Sequence, residues 1–144
     1  MYEIALVWPE LLSGQEDSSV LVDQPSVGYE AWWAWLLSTE LFEELQRGGC
    51  GALFVHTTEG LTYEQIEWTS PAALLEALER LRALVSGDGP FAERALSEYE
   101  SFAKLEVRSG ASLTNFLADL DVIAAMARWT AARGKNKVTF QINF

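Results

Sequence analysis

The chain of 144 residues has 49% hydrophobic residues, six Trp and a formal net charge of −11. This composition excludes an intrinsically disordered chain, and the length predicts a single domain over residues 1–144. No apolar run approaches the ~20 residues that cross a bilayer, so no membrane partner is expected.

The cysteine content and the N-terminal sequence favour a cytoplasmic location. Cys50 is the only cysteine, which excludes an intrachain disulfide. The stretch MYEIALVWPELLSG lacks the basic start and the small-residue cleavage site of a secretory signal.

Acidic residues are concentrated in the first half of the chain. Residues 1–46 contain nine acids and no Lys or Arg, and residues 47–79 add five acids and only Arg47. Residues 80–144 contain nine bases and seven acids. Because phosphate contacts require cationic side chains, this distribution argues against a nucleic-acid partner. It favours a basic protein partner, although acidity that only maintains solubility gives the same charge.

The N-terminal half predicts three or four strands and one helix. Residues 2–8 (YEIALVW) are rich in strand formers and end at Pro9, and residues 20–25 (VLVDQP) suit a short second strand. A helix is expected over about 28–47, where Gly48 and Gly49 end it. Residues 51–57 (GALFVHT) then suit a buried strand, with 61–68 as its hairpin partner.

The C-terminal half predicts three helices and a final strand. Ser70 followed by Pro71 is a typical helix start, and that helix ends at Gly87. Pro90 opens the second helix, and the third runs from about residue 112 to 133, before Gly134. Residues 137–144 (KVTFQINF) alternate apolar and polar residues, which predicts a strand with one buried face.

This order of elements, β(β)αββαααβ, predicts an α+β fold. We expect a mainly antiparallel sheet of about four to five strands with the helices packed on it. An elaborated ferredoxin-like sandwich is one topology that fits this order.

The sequence offers no catalytic, metal or cofactor signature. His56 is the only histidine, and an extended segment 51–57 would separate it from Cys50 by about 20 Å. Glu40, Glu43 and Glu44 share one helical face, but no His joins them to complete a metal site. No catalytic residue, metal or cofactor is therefore predicted.

The Trp residues of the first helix raise the possibility of a binding anchor. At 100° per residue, the indoles of Trp32, Trp33 and Trp35 spread over about 160°, wider than the stripe of roughly 100° that a sheet buries. Either the later helices cover all three, or Trp33 or Trp35 is exposed to a partner. The predicted partner-binding set consists of these two aromatics and the carboxylates around them: Trp33, Trp35, Glu30, Glu40, Glu43 and Glu44.

The last helix carries apolar residues on two sides. Opposite its main apolar stripe lie Val122, Met126 and Trp129. These residues either meet a third layer or form a face for homo-oligomerisation.

Charge and missing chemistry together favour a noncatalytic acidic interaction protein that docks on a cationic protein. An inhibitor of the immunity or antitoxin type is one concrete form. The alternatives are a small-molecule-binding domain or unrecognised enzyme with an aromatic-lined pocket, and a homo-oligomeric structural protein.

Overall fold

The computed structural model describes residues 3–28, 39–54, 63–105 and 113–143. The described residues are mostly helical, with one small sheet. The strands and helices are β1 (Glu3–Val7), α1 (Pro9–Leu12), β2 (Val27–Gly28), α2 (Thr39–Leu45), α3 (Pro71–Val85), α4 (Pro90–Leu105), α5 (Leu113–Ala132) and β3 (Thr139–Asn143). Shorter turns are 3-10 helices at Ser18–Asp23, Gly51–Phe54 and Tyr63–Gln65, and a kinked turn at Gln46–Cys50.

The sheet is antiparallel, with the strand order β2-β1-β3. Strand β1 pairs with β3 along its whole length, from Glu3 opposite Asn143 to Val7 opposite Thr139. Its other edge pairs with only two residues of β2. Every side chain from Ile4 to Trp8 is buried, so β1 is covered on both faces.

The predicted fold class is wrong, because the described residues contain one three-stranded sheet and not a sheet of four to five strands. The ferredoxin-like sandwich predicted as one topology for that fold class is therefore also wrong. The strands predicted at the two ends of the chain are confirmed as β1 and β3. The prediction of one buried face for β3 is wrong at Thr139, which lies on the polar face and is 0% exposed. The error lies in the apolar stretches between them.

Residues 20–25 form no strand. The side chain of Asp17 accepts a hydrogen bond from the Ser19 amide at 2.9 Å and starts the 3-10 helix Ser18–Asp23. Such local side-chain bonds compete with extended structure. The β-branched residues of this stretch indicated strand, but a cap at Asp17 decides the conformation.

Residues 51–54 and 63–65 are also 3-10 turns where strands were predicted. Leu53 is fully buried in the common core. A short apolar run does not distinguish a buried strand from a buried helical turn. Residues 66–68 of the predicted hairpin have no regular secondary structure, and residues 55–62 lie outside the described residues.

The three late helices are confirmed. The Ser70 hydroxyl accepts a hydrogen bond from the Ala73 amide at 3.1 Å, and Pro71 occupies the first helical turn of α3. Beyond α5, Gly134 adopts a positive φ of 78°, the conformation that favours glycine after a helix. These helix signals were readable because they act over only a few residues.

Helix α5 lies between α3 and the sheet, contacting α3 as well as β1 and β2. This position explains why its apolar residues are not confined to one stripe, since a helix covered on two sides buries both. Met126 is 0% exposed and belongs to the core, and Val122 packs against that core. Met126 therefore follows the alternative in which this side of the helix meets a further layer, and homo-oligomerisation through Val122 and Trp129 stays a prediction.

Candidate functional site

Much of the predicted aromatic anchor falls outside the described residues. Glu30, Trp33 and Trp35 are in the stretch 29–38, so their role stays a prediction. Glu40 lies at the start of α2. The glycines after α2 lie in the kinked turn Gln46–Cys50, where Gly49 has a non-helical φ of 88°.

The two remaining predicted carboxylates differ in their surroundings. Glu43 is exposed on α2. Glu44 is half-buried and forms an ion pair with Arg94 of α4. This contact ties α2 to α4 and neutralises Glu44, so only Glu43 of the pair offers an unneutralised charge.

Basic side chains are occupied in the same way elsewhere. Arg80 bonds Glu76 at 3.0 Å and donates to the Gly49 carbonyl at 3.2 Å. Arg82 pairs with Asp121 across α3 and α5. Arg82 and Arg94 thus join neighbouring helices and Arg80 joins α3 to the turn at Gly49, and the negative excess of the chain remains.

The negative excess is clearest in the first part of the chain. Four exposed acids there have no ion pair among the described residues, and we call them the N-terminal carboxylates: Glu10, Asp17, Asp23 and Glu43. In that part of the chain, through residue 54, the sequence provides only Arg47 as a base. In space, Lys135 and Lys137 of the C-terminal part line one cleft with Glu10.

A polar cluster joins the two ends of the chain beside the sheet. Trp8 is fully buried, and its indole Nε1 donates to Glu16 Oε2 at 2.6 Å. Lys135 Nζ donates to the same oxygen at 3.1 Å and lies 5.2 Å from the centre of the Trp8 ring. Trp129 packs 6.1 Å from Trp8, and the Arg133 guanidinium lies 4.8 Å from the Trp129 ring centre. Trp129 is therefore engaged inside this protein.

The cluster changes the acidity of Glu16. The Trp8 hydrogen bond lowers the pKa of this carboxyl below its ordinary value, and the hydrogen bond and charge of Lys135 add to the effect. Partial burial opposes them, and the Arg133 charge contributes least. Glu16 therefore stays ionised at neutral pH, held in a structural contact.

A cleft of about 370 Å³ adjoins this cluster. Its lining consists of Trp8, Pro9, Glu10, Gly134, Lys135, Asn136 and Lys137. Trp8 is the one aromatic residue in that lining, and it is buried. This mostly polar lining differs from the aromatic-lined pocket of the small-molecule-binding alternative.

The structure adds an exposed apolar site that the sequence reading missed. Val22 is 84% exposed at the end of the 3-10 helix Ser18–Asp23. A recess of about 300 Å³ lies beside it and is lined by Ile4, Ala5, Leu21, Val22, Gln24, Pro25 and Ser26. The signal in the sequence is the apolar run VLV at residues 20–22 between Asp17 and Asp23, a run that strand propensity alone assigns to a strand.

Gln24 fixes this segment to the sheet. The Leu6 amide donates to Gln24 Oε1 at 2.7 Å, and Gln24 Nε2 donates to the Leu6 carbonyl at 3.0 Å. One side-chain amide thus continues the pairing of β1 where β2 ends. Val22 therefore lies two residues before a side chain that is hydrogen-bonded to β1.

The candidate nucleophile and metal ligands form no site in the described part of the chain. Burial raises the pKa of the Cys50 thiol, against the weaker effect of the Arg80 charge. The thiol faces the Ala77 carbonyl at 3.8 Å. His56 lies outside the described residues. Within the ranges that the structure describes, no three His, Cys, Asp or Glu side chains are grouped to hold a metal.

The comparisons with known proteins assign no family. No family model, curated protein or solved structure matches this chain. Among the described helices, none has both the length and the apolar character needed to cross a membrane.

Proposed function

We propose that this chain is a noncatalytic interaction protein that docks on a cationic protein. The observation that carries the proposal is the set of N-terminal carboxylates, which are exposed and have no ion pair among the described residues. Opposite charge on a partner would accelerate encounter and disfavour acidic competitors. An inhibitor of the immunity or antitoxin type, which covers the basic surface of its target, is the concrete form we favour.

The ion pairs support the proposal that exposed carboxylates bind a cationic partner. Arg94 and Lys135 come from the C-terminal half and neutralise Glu44 and Glu16 of the N-terminal half. Those two acids stabilise the fold, and the N-terminal carboxylates remain available to a partner. Exposed charge of one sign is better suited to steering a partner than to stabilising this chain.

The test begins with affinity capture from the organism that encodes the chain, at low and moderate salt. The recovered protein is then purified and titrated into the full chain by calorimetry. We expect one basic protein, a stoichiometric complex, a dissociation constant that rises with salt, and inhibition of that protein's activity. Recovery of only acidic or neutral proteins, or an affinity insensitive to salt, would contradict the proposal.

A further inference from the structure

Val22 stands out because a large apolar side chain is exposed on a highly charged protein. Two such side chains are exposed among the described residues, Val22 at 84% and Leu84 at 40%. Single exposed apolar residues are common on protein surfaces and need no function by themselves. Val22 differs from Leu84 because a recess and acidic residues accompany it.

The recess gives this surface a shape. It holds about 300 Å³ and is bounded by Leu21 and Pro25 on the segment and by Ile4 and Ala5 of β1. This volume lies at the lower end of the range for binding pockets and readily accepts one aliphatic side chain. Because Gln24 is bonded twice to Leu6, the floor of the recess is fixed before a ligand arrives.

Acidic residues flank the segment that carries Val22. Asp17 and Asp23 are exposed at the two ends of the 3-10 helix. Residues 3–28 contain five acids and no Lys or Arg. Lys135 reaches this part of the chain, and its ammonium is bonded to Glu16.

We infer that Asp17, Leu21, Val22, Asp23 and Pro25, here called the Val22 surface, bind a cationic segment of a protein partner. An aliphatic side chain of that segment enters the recess, and Lys or Arg residues on either side of it face Asp17 and Asp23. This inference rests on the proposed function and names the docking surface for it. Apolar contact at the centre with charged contacts at the rim is the usual anatomy of an interface.

The test uses a defined probe, a short amidated peptide with Lys and Arg on both sides of a single Leu. Its twin has Ser in place of Leu. Each is titrated into the full-length ¹⁵N-labelled chain while amide shifts are recorded. We expect the Leu peptide to shift the amides of residues 17–25 and to bind about tenfold more tightly than its twin, a difference of about 1.4 kcal/mol.

Variants of the chain give an independent arm. V22S is expected to weaken the Leu peptide about tenfold, and D23N is expected to weaken both peptides and reduce their salt dependence. L84S is the matched control, since it removes the other exposed apolar side chain and should leave the affinity unchanged. Val22 is 84% exposed, so V22S should keep the thermal midpoint of the parent chain.

Three results would overturn the inference: no binding of the Leu peptide, equal affinity for the two peptides, or amide shifts that leave residues 17–25 unmoved. The proposed function fails separately. If V22S binds the captured basic protein as tightly as the parent chain does, the Val22 surface is wrong and the proposed function stands. If the parent chain binds no basic protein in a salt-dependent way, the proposed function is wrong.

Discussion

Replacing Gln24 tests whether one side chain substitutes for a missing strand. In Gln24→Ala, the Leu6 amide and carbonyl both lose their partner, and both are in the buried part of β1. Each buried backbone group left unpaired costs about 1–3 kcal/mol. Because water can enter from the adjoining recess, we expect the lower part of that range for each group. The free energy of unfolding should fall by about 2–4 kcal/mol.

The assay is urea unfolding followed by Trp fluorescence, with thermal unfolding by circular dichroism. For a chain of this size, the expected loss lowers the midpoint of thermal unfolding by about 6–15 °C. Gln15→Ala is the control, because Gln15 is exposed in the same part of the chain and its replacement should stay within about 0.5 kcal/mol. If Gln24→Ala behaves like this control, the role of the Gln24 amide is refuted.

Gln24→Glu gives the same contact a pH dependence. A protonated carboxyl can accept from the Leu6 amide and donate to the Leu6 carbonyl, whereas the ionised form can only accept. The folded state should therefore raise the pKa of the introduced carboxyl above its unfolded value of about 4.3. Its stabilising contribution is complete below that value and is lost as pH rises through the raised folded pKa. The deficit relative to the parent chain should grow from about pH 4 to pH 7, measured by urea unfolding, and a constant deficit would contradict this reading.

Three further substitutions test the ion cluster, the core and the turn after α2. Glu16→Gln should lower the free energy of unfolding at neutral pH, because the lowered pKa of Glu16 means that its ionised form stabilises the fold above the ordinary pKa. This deficit should close as pH falls from about 5 to about 3. Urea unfolding at each pH measures it. Met126→Ala should lower the free energy of unfolding by about 2–5 kcal/mol at every protein concentration, whereas a loss that changes with concentration would restore the oligomer reading. Gly49→Ala should lower the free energy of unfolding by about 1–2 kcal/mol, measured by thermal unfolding, because φ is 88° and an added Cβ would stand 2.2 Å from Arg80 Nη1. In the control Gly48→Ala the added Cβ meets no atom within 4 Å, so the loss should be smaller.

The helices were predictable because their start and stop signals are local. Ser70 and Pro71 begin α3, and Gly134 follows α5 with the positive φ that a helix end favours. No distant contact was needed to recognise these boundaries. The two longer strands, β1 and β3, were predictable from strand-forming residues and alternation.

The missing strands depended on contacts that propensity does not encode. Residues 20–25 have strand-forming side chains, but the Asp17 cap and the Gln24 amide determine how that segment meets β1. The Gln24 side chain satisfies the Leu6 amide and carbonyl, which a further strand would otherwise pair with. The 51–54 turn was ambiguous because Leu53 is buried in either conformation.

The candidate site was predictable in charge and not in geometry. The acidic first half follows from the sequence, but which acids are neutralised depends on Arg94 and Lys135, far along the chain. Glu44 is therefore neutralised by Arg94 and its neighbour Glu43 is not, although the sequence alone does not distinguish these two glutamates. The exposure of Val22 could not be predicted while its segment was assigned to a strand.

The most direct test of the proposed function compares charge removed from two places. The captured basic protein is titrated at low and moderate salt into Asp23→Asn/Glu43→Gln and into the control Glu79→Gln/Asp88→Asn, which removes two exposed acids in and just after α3. We predict that the first variant binds more weakly than the control and has a smaller salt dependence, because it removes N-terminal carboxylates. Equal affinity and equal salt dependence in the two variants would contradict docking through the N-terminal carboxylates.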